Sequence, residues 1–282
     1  MLKKIISAGF ALVLVTAAPS YAAQGIPKRI ISLSPSATED LFAIGAGAQV
    51  IAVDDYSNFP AEAPMTKLSA FTPNVEAIVA YHPDLVILNA DATKAQDIKN
   101  ALEKLKIIVF VEHAPTALSQ AYTEITALGR ATGNISGAQT VISNMKSKIS
   151  QIVSASRRHK PLNVFHELDS TLYSASSTTF IGHVYADFKL TNIADGAAKA
   201  DDAGYPQLQS EYVIKTNPQV IFLSDAQDGV SAADVAKRPG WAGISAVKNK
   251  HIIALPQDIP SRWGPRLVDF YQTISNAIGK IG

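Results

Sequence analysis

From Arg29 onward, short aliphatic runs alternate with amphipathic stretches. Residues 30–33 form a β-rich run, and Ser36-Ala37-Thr38-Glu39 has the spacing of a capping box that opens a helix, which Gly45 and Gly47 end. Residues 49–53 and 107–111 read as further strands. Between them Ala95, Ile98, Leu102 and Leu105 recur at helical spacing, with Lys94, Lys99, Glu103 and Lys104 facing away. Leu118, Tyr122, Ile125 and Leu128 mark another helix that stops near Gly133. Strands separated by helices predict a parallel sheet covered on both faces, here forming a first α/β lobe over residues 24–135.

The longest periodic segment follows. Ala138, Val141, Ile142, Met145, Ile149, Ile152 and Val153 form one apolar stripe, uninterrupted by Gly or Pro after Gly137. A helix over 136–158 would be roughly 30–35 Å long, enough to span a domain. Arg157, Arg158, His159 and Lys160 then meet its negative end, and Pro161 stops it. We therefore expect a connecting helix over 136–160. Beyond it the alternation starts again. Residues 162–165, 220–223 and 252–255 read as strands, Phe180, Ile181, Val184, Tyr185 and Phe188 as one helical stripe, and Leu267, Tyr271, Ile274 and Ile278 as the terminal helix. Residues 161–282 are thus a second α/β lobe.

Composition narrows the function. With 282 residues, 47% of them hydrophobic, the chain has material for two medium lobes and is not intrinsically disordered. Its 25 basic and 24 acidic residues leave no domain-sized basic surface for nucleic acid. The lack of cysteine removes disulfides, thiolate metal sites, cysteine nucleophiles and lipid attachment through an N-terminal cysteine. Lys3 and Lys4, the apolar run 5–19 and the small residues of Ser20-Tyr21-Ala22-Ala23 have the form of a secretory signal peptide over residues 1–23. A soluble, near-neutral, monomeric protein exported to a periplasm is the expectation.

A cryptic repeat ties the halves together. Residues 76–88 lie on residues 211–223 without a gap, each copy with a Glu at its start (Glu76, Glu211), a Pro seven residues on (Pro83, Pro218) and an aliphatic strand beyond. Two copies in matching order imply pseudo-twofold lobes with a cleft between them, where small molecules commonly bind.

These features resemble the periplasmic binding proteins in which two α/β lobes are joined by one rigid helix, the class that serves ABC importers for cobalamin, ferric siderophores, haem and some metals. The resemblance covers residues 29 to the last helix. It is greatest toward the vitamin B12-binding branch, through Asp55-Tyr56-Ser57-Asn58-Phe59-Pro60, Tyr205-Pro206-Gln207, and the spacing of Asp258, Arg262, Pro265 and Arg266. It implies an interlobe cleft for a corrinoid, docking of Glu76 and Glu211 onto arginines of a membrane permease, and no cofactor beyond the carried ligand.

A corrinoid is a broad ring fringed with amides, so its site needs aromatic faces and polar rim groups. The candidates are Tyr56, Phe71, Tyr173, Tyr205 and Trp263 for the faces, with Asp258 and Arg262 as rim hydrogen-bonders under the family reading. Asn89 and Ile259 stand where that branch has aromatics. A ferric-siderophore or haem carrier of the same class is the alternative. An anionic siderophore complex would need cations in the cleft, where Arg262 is the clear candidate. A haem or metal carrier would need ligating side chains. Of the histidines, His82, His159 and His251 read as structural, while His113, His166 and His183 are open as ligands, with His166-Glu167 the best pair. No metal-ligand spacing is present, so no metal is expected. A secreted hydrolase is disfavoured: there is no Gly-x-Ser-x-Gly elbow and no His-Glu-x-x-His, the first strand leads into Ser34-Pro35-Ser36 without a glycine-rich loop, and the hydroxyl run 174–179 near His183 reads as helix capping.

Overall fold

The computed structural model describes residues 25–156, 161–255 and 258–281. The segment 1–23 expected to be a signal peptide and the basic run Arg157–Lys160 lie outside the described residues. Among those described, no helix is long and apolar enough to cross a membrane.

The first lobe is a parallel sheet of β1 (Ile30–Leu33), β2 (Val50–Asp54), β3 (Met65–Leu68), β4 (Leu85–Asn89) and β5 (Ile108–Glu112), in the order β3-β2-β1-β4-β5. The second is a parallel sheet of β6 (Asn163–Glu167), β7 (Thr191–Asn192), β8 (Val220–Leu223) and β9 (Ile252–Ala254), in the order β7-β6-β8-β9. Alternation within strands sends side chains to opposite faces. In β4, Leu85 and Ile87 join one core cluster while Val86 and Leu88 join another, and in β8 Val220 and Phe222 separate from Ile221 and Leu223 in the same way. Both sheets are therefore covered on both sides, as continuous aliphatic strands require.

Some local readings shift. The first helix, α1 (Pro35–Ala43), starts before the sequence reading placed it: Ser34 is the N-cap and accepts from the Ala37 amide, and Pro35 takes the first turn, where its missing N–H costs nothing. The edge strands β3 and β7 are additions.

The repeat is structural. Its helices are α2 (Val75–Val79) and α7 (Ser210–Thr216), and β4 and β8 begin at equivalent positions, each between two neighbours of its sheet. His82 and Asn217, which precede the paired prolines, share left-handed backbone at φ 50° and 48°. The equivalence extends further along the chain: Lys106 and Lys250 adopt φ 63° and 59° just ahead of β5 and β9.

The connecting helix α5 (Ile135–Ala155) is not a free strut. It packs against α4 (Leu118–Thr132) of the first lobe and α10 (Leu267–Gly279) of the second, burying Ala138, Met145 and Ile149. Gly137 allows its close approach to the end of α1, since a Cβ there would lie 1.9 Å from the Ile44 carbonyl oxygen. One core cluster, from Ile30 through Met145 to Ile278, runs through both lobes. This shared core resists wide hinge motion because interiors are close-packed.

Candidate functional site

In each lobe the loops that leave the C-terminal ends of the strands meet those of the other lobe. The chain after β9 reaches back to the ends of β1, β2 and β5, and His183 in α6 (Phe180–Asp187) hydrogen-bonds the Thr116 carbonyl just beyond β5. Ligands of open parallel sheets bind outside such strand ends, at the point where strand order reverses.

On the first lobe the loop after β2 presents Tyr56, 55% exposed, and the loop after β3 presents Phe71, 49% exposed. The rings pack edge to face with centroids 5.4 Å apart. Asp54, buried at the end of β2, fixes this loop by accepting from the Tyr56 amide at 2.8 Å and the Ser57 hydroxyl at 2.6 Å. On the second lobe Tyr173 and Gln207 form an antiparallel bridge that holds Tyr173 beside Tyr205. These tyrosines are 42% and 43% exposed and border an open pocket of about 580 Å³ whose charged groups are Lys199, Asp201 and Asp202. Burial raises the Tyr205 hydroxyl pKa, and so does Asp91, which follows β4 of the opposite lobe. Four of the five proposed aromatics are thus displayed, two from each lobe.

Trp263 is placed differently. It is half-buried, packs edge to face on Phe180 and donates its Nε1–H to Glu112 Oε1 at 3.0 Å. Arg262 is buried, contrary to a rim position: it bonds Asp258 at 3.1 Å and the Tyr56 carbonyl at 3.1 Å, and lies 3.5 Å from Glu39. The cause is Glu39 on α1, which is buried and draws in both Arg262 and Arg266. Arg266 donates to both oxygens of Glu39 and stacks on Phe59 at 4.3 Å, while Asn58 donates to Asp258 at 2.8 Å. The segment 258–266 therefore belongs to the second lobe in sequence and is clasped by the first.

Two carboxyls at this seam are strongly perturbed. Burial, with Glu112, Glu39 and Glu124 close by, raises Asp40 well above the carboxylate range. Burial also pushes Glu112 up to about 7, against hydrogen bonds from Ser34 and Trp263 that lower it.

The pair His166-Glu167 is engaged within its own lobe. His166 is fully buried between the Tyr185 and Ser224 hydroxyls, and burial lowers it to about 3, so it is a neutral core histidine. Glu167 is bidentate with Arg238 at 2.6 Å. Among the described residues no group of three potential metal ligands occurs. Glu76 and Glu211 are exposed in the first turns of α2 and α7, one on each lobe.

Sequence reasoning gave Glu39, Asp91 and Glu112 no place in this region. The motif Asp55–Pro60, which contains Asn58, and the spacing of Asp258, Arg262 and Arg266 pointed toward it.

Two parallel α/β lobes with apposed strand ends, and a helix packed on both, define a two-lobed binding protein. The chain belongs to the periplasmic binding protein family, whose sequence model matches residues 30–259. It is a binding protein and not an enzyme. It is 30% identical over 261 residues to an uncharacterized ABC transporter substrate-binding lipoprotein of Bacillus subtilis, covering 89% of this chain and 80% of that one. It is 29% identical over 264 residues to the vitamin B12-binding protein of Vibrio cholerae, covering 91% of each. The fold is shared with the periplasmic haem-binding protein of Vibrio cholerae, with a TM-score of 0.78 at 23% identity over 88% of this chain and 97% of that one.

Proposed function

We propose that this protein is the exported substrate-binding component of an ABC importer and carries a corrinoid in the groove between its lobes. Tyr56 and Phe71 on one side, with Tyr173 and Tyr205 on the other, supply apolar faces for a flat macrocycle, and Asp91, Asp258 and Gln207 supply polar partners for its amide fringe. Glu76 and Glu211 present the loaded protein to permease arginines, since each exposed carboxylate has room for a bidentate guanidinium. The similarity to a vitamin B12-binding protein over nine-tenths of the chain supports the same reading.

The observation that carries the choice of cargo is the state of Arg262. A polycarboxylate such as haem, or an anionic ferric siderophore, needs cations to meet it. Arg262 is buried against Asp258 and Glu39, and the acids Asp55, Asp91, Asp201, Asp202 and Asp258 stand around the displayed aromatics with Lys199. A neutral, amide-rich ligand suits that surface.

Calorimetric titration of the purified protein with cyanocobalamin, haem and a ferric siderophore tests the proposal. Saturable 1:1 binding of the corrinoid alone is the expected result. Tighter binding of haem or siderophore would overturn the assignment of cargo and leave the family membership untouched.

A further inference from the structure

One face of α4 stays open beside the connecting helix. Tyr122, Thr126, Ala127 and Arg130 recur on it at three- and four-residue steps and, with Ile142 and Lys146 of α5, line a groove of about 470 Å³. At Ser119 this groove meets a second hollow, of about 340 Å³, on the lobe boundary. Leu118 belongs to its first-lobe wall, and Phe180 and Val184 of α6 with Tyr271 of α10 to its second-lobe wall. Tyr122 in the groove lies close enough to Asp187 and Tyr271 in the hollow for their charges to act on one another, so the two spaces form one path.

Charge is sorted along this path. Lys146 holds its ammonium 4.9 Å from the centroid of the Tyr122 ring, and Arg130 stands in the last turn of α4. Among the described residues neither is ion-paired with an acid. At the lobe boundary Asp187 accepts from the Tyr271 hydroxyl at 2.6 Å, and His183 bonds the Thr116 carbonyl. An anionic group is therefore drawn to the helical groove and repelled from the hollow, whose remaining walls are largely aliphatic and aromatic.

We propose that this path is a second binding site and takes one long-chain carboxylate. The carboxylate lies by Arg130 and Lys146, and the hydrocarbon runs past Tyr122 into the hollow between Leu118, Phe180 and Val184. Between Leu118 and Arg130 α4 rises roughly 18 Å, comparable with an extended fatty acyl chain. A partner helix, about 10 Å across, is too wide for the hollow, whereas a single hydrocarbon chain fits it. The path shares no lining residue with the cleft aromatics Tyr56, Phe71, Tyr173 and Tyr205, so the site does not rest on the cargo proposed above. Because its walls come from both lobes, the bound chain spans their boundary.

Calorimetric titration of the purified protein with octanoate, decanoate and laurate, each kept below its micellar range, tests the site. Saturable 1:1 binding is expected, with affinity rising about two-fold per added methylene, half the effect of full burial because the groove is open on one side. Dodecyltrimethylammonium, with the chain length of laurate and the opposite charge, should bind about ten-fold more weakly or worse. Lys146→Glu, which repels the head group, and Thr123→Trp, which fills the groove, should each weaken laurate binding by about ten-fold or more. Both positions are exposed, so the thermal midpoint should hold; if a variant does not fold, the chain-length series and the cationic amphiphile decide on the unaltered protein. Cyanocobalamin should not displace laurate. No laurate binding, equal affinity for the cationic amphiphile, unchanged affinity in either folded variant, or displacement by cyanocobalamin would overturn the site. Dimerisation that Thr123→Trp abolishes, or flotation with phosphatidylglycerol vesicles by protein that ignores free laurate, would assign the groove to another occupant and overturn it as well.

Discussion

Arg266 reaches across the lobe boundary to grip Glu39 with two nitrogens, Nε donating to Oε2 at 2.8 Å and Nη2 to Oε1, although the residues are 227 positions apart. The Glu39 side chain is 1% exposed and that of Arg266 19%. Removing one partner of a buried pair typically costs about 3–5 kcal/mol, and after loss of Arg266 the Arg262 guanidinium, 3.5 Å from Glu39, still offsets part of that carboxylate's charge. Arg266→Ala should therefore lower the urea midpoint, and Glu39→Gln should lower it too, because it deprives both arginines of their shared carboxylate. The double variant should cost less than the sum of the singles. Strict additivity would mean that the pair does not couple the lobes.

Glu112 gives the unfolding free energy a pH dependence whose sign is fixed by the direction of its shift. Its pKa rises from 4.5 to about 7 on folding. The folded state therefore binds the proton more tightly, so the associated stability is fully present below about pH 4.5 and is lost as pH rises through about 7. At about 1.4 kcal/mol per unit, the difference between the two ends is about 3–4 kcal/mol. Glu112→Gln should remove this slope. Urea unfolding of both proteins at several pH values should show the variant gaining on the wild type as pH rises, and parallel curves would refute the linkage.

The repeat was legible because its signals are local: a first-turn glutamate, a proline seven residues on and an aliphatic strand each act within a few residues. The left-handed backbone at His82 and Asn217 comes from the same short stretches, and both residue types enter that region more readily than most non-glycine residues. The strand Met65–Leu68 escaped notice for the opposite reason, being four residues long, at a sheet edge, with Met65 58% exposed. Tyr56 and Tyr205 could be picked out as loop aromatics. The burial of Arg262 could not, because it depends on Glu39 at the far end of the chain. Residue type indicates what a side chain is able to do, and a partner two hundred positions away decides whether it is free to do it.

The displayed aromatics separate binding from folding. Tyr56 and Tyr205 are 55% and 43% exposed, so truncating either to alanine should leave the thermal midpoint nearly unchanged. If each ring covers part of the ligand, each truncation should weaken corrinoid binding by about ten-fold or more. Calorimetry measures the affinity, and unchanged affinity in both variants would place the ligand elsewhere.

Docking and capture should separate in the same manner. Glu76 and Glu211 are exposed, begin equivalent helices, and precede the equivalent strands β4 and β8, so the pseudo-twofold relation of the lobes gives the two carboxylates matching places. Each also complements its helix dipole, a contribution of about 0.3–1 kcal/mol that a reversal to lysine would forfeit without unfolding the lobe. If each glutamate meets a permease arginine as proposed, the cost to docking is larger, because a lysine in its place replaces attraction with repulsion. Glu76→Lys or Glu211→Lys alone should cut ligand uptake by about ten-fold or more, while ligand affinity stays at the wild-type value. Uptake in cells with calorimetry on the purified variants distinguishes the cases: affinity that falls together with uptake would place the glutamates in the ligand site, and unimpaired uptake would leave them only their local role at the helix ends.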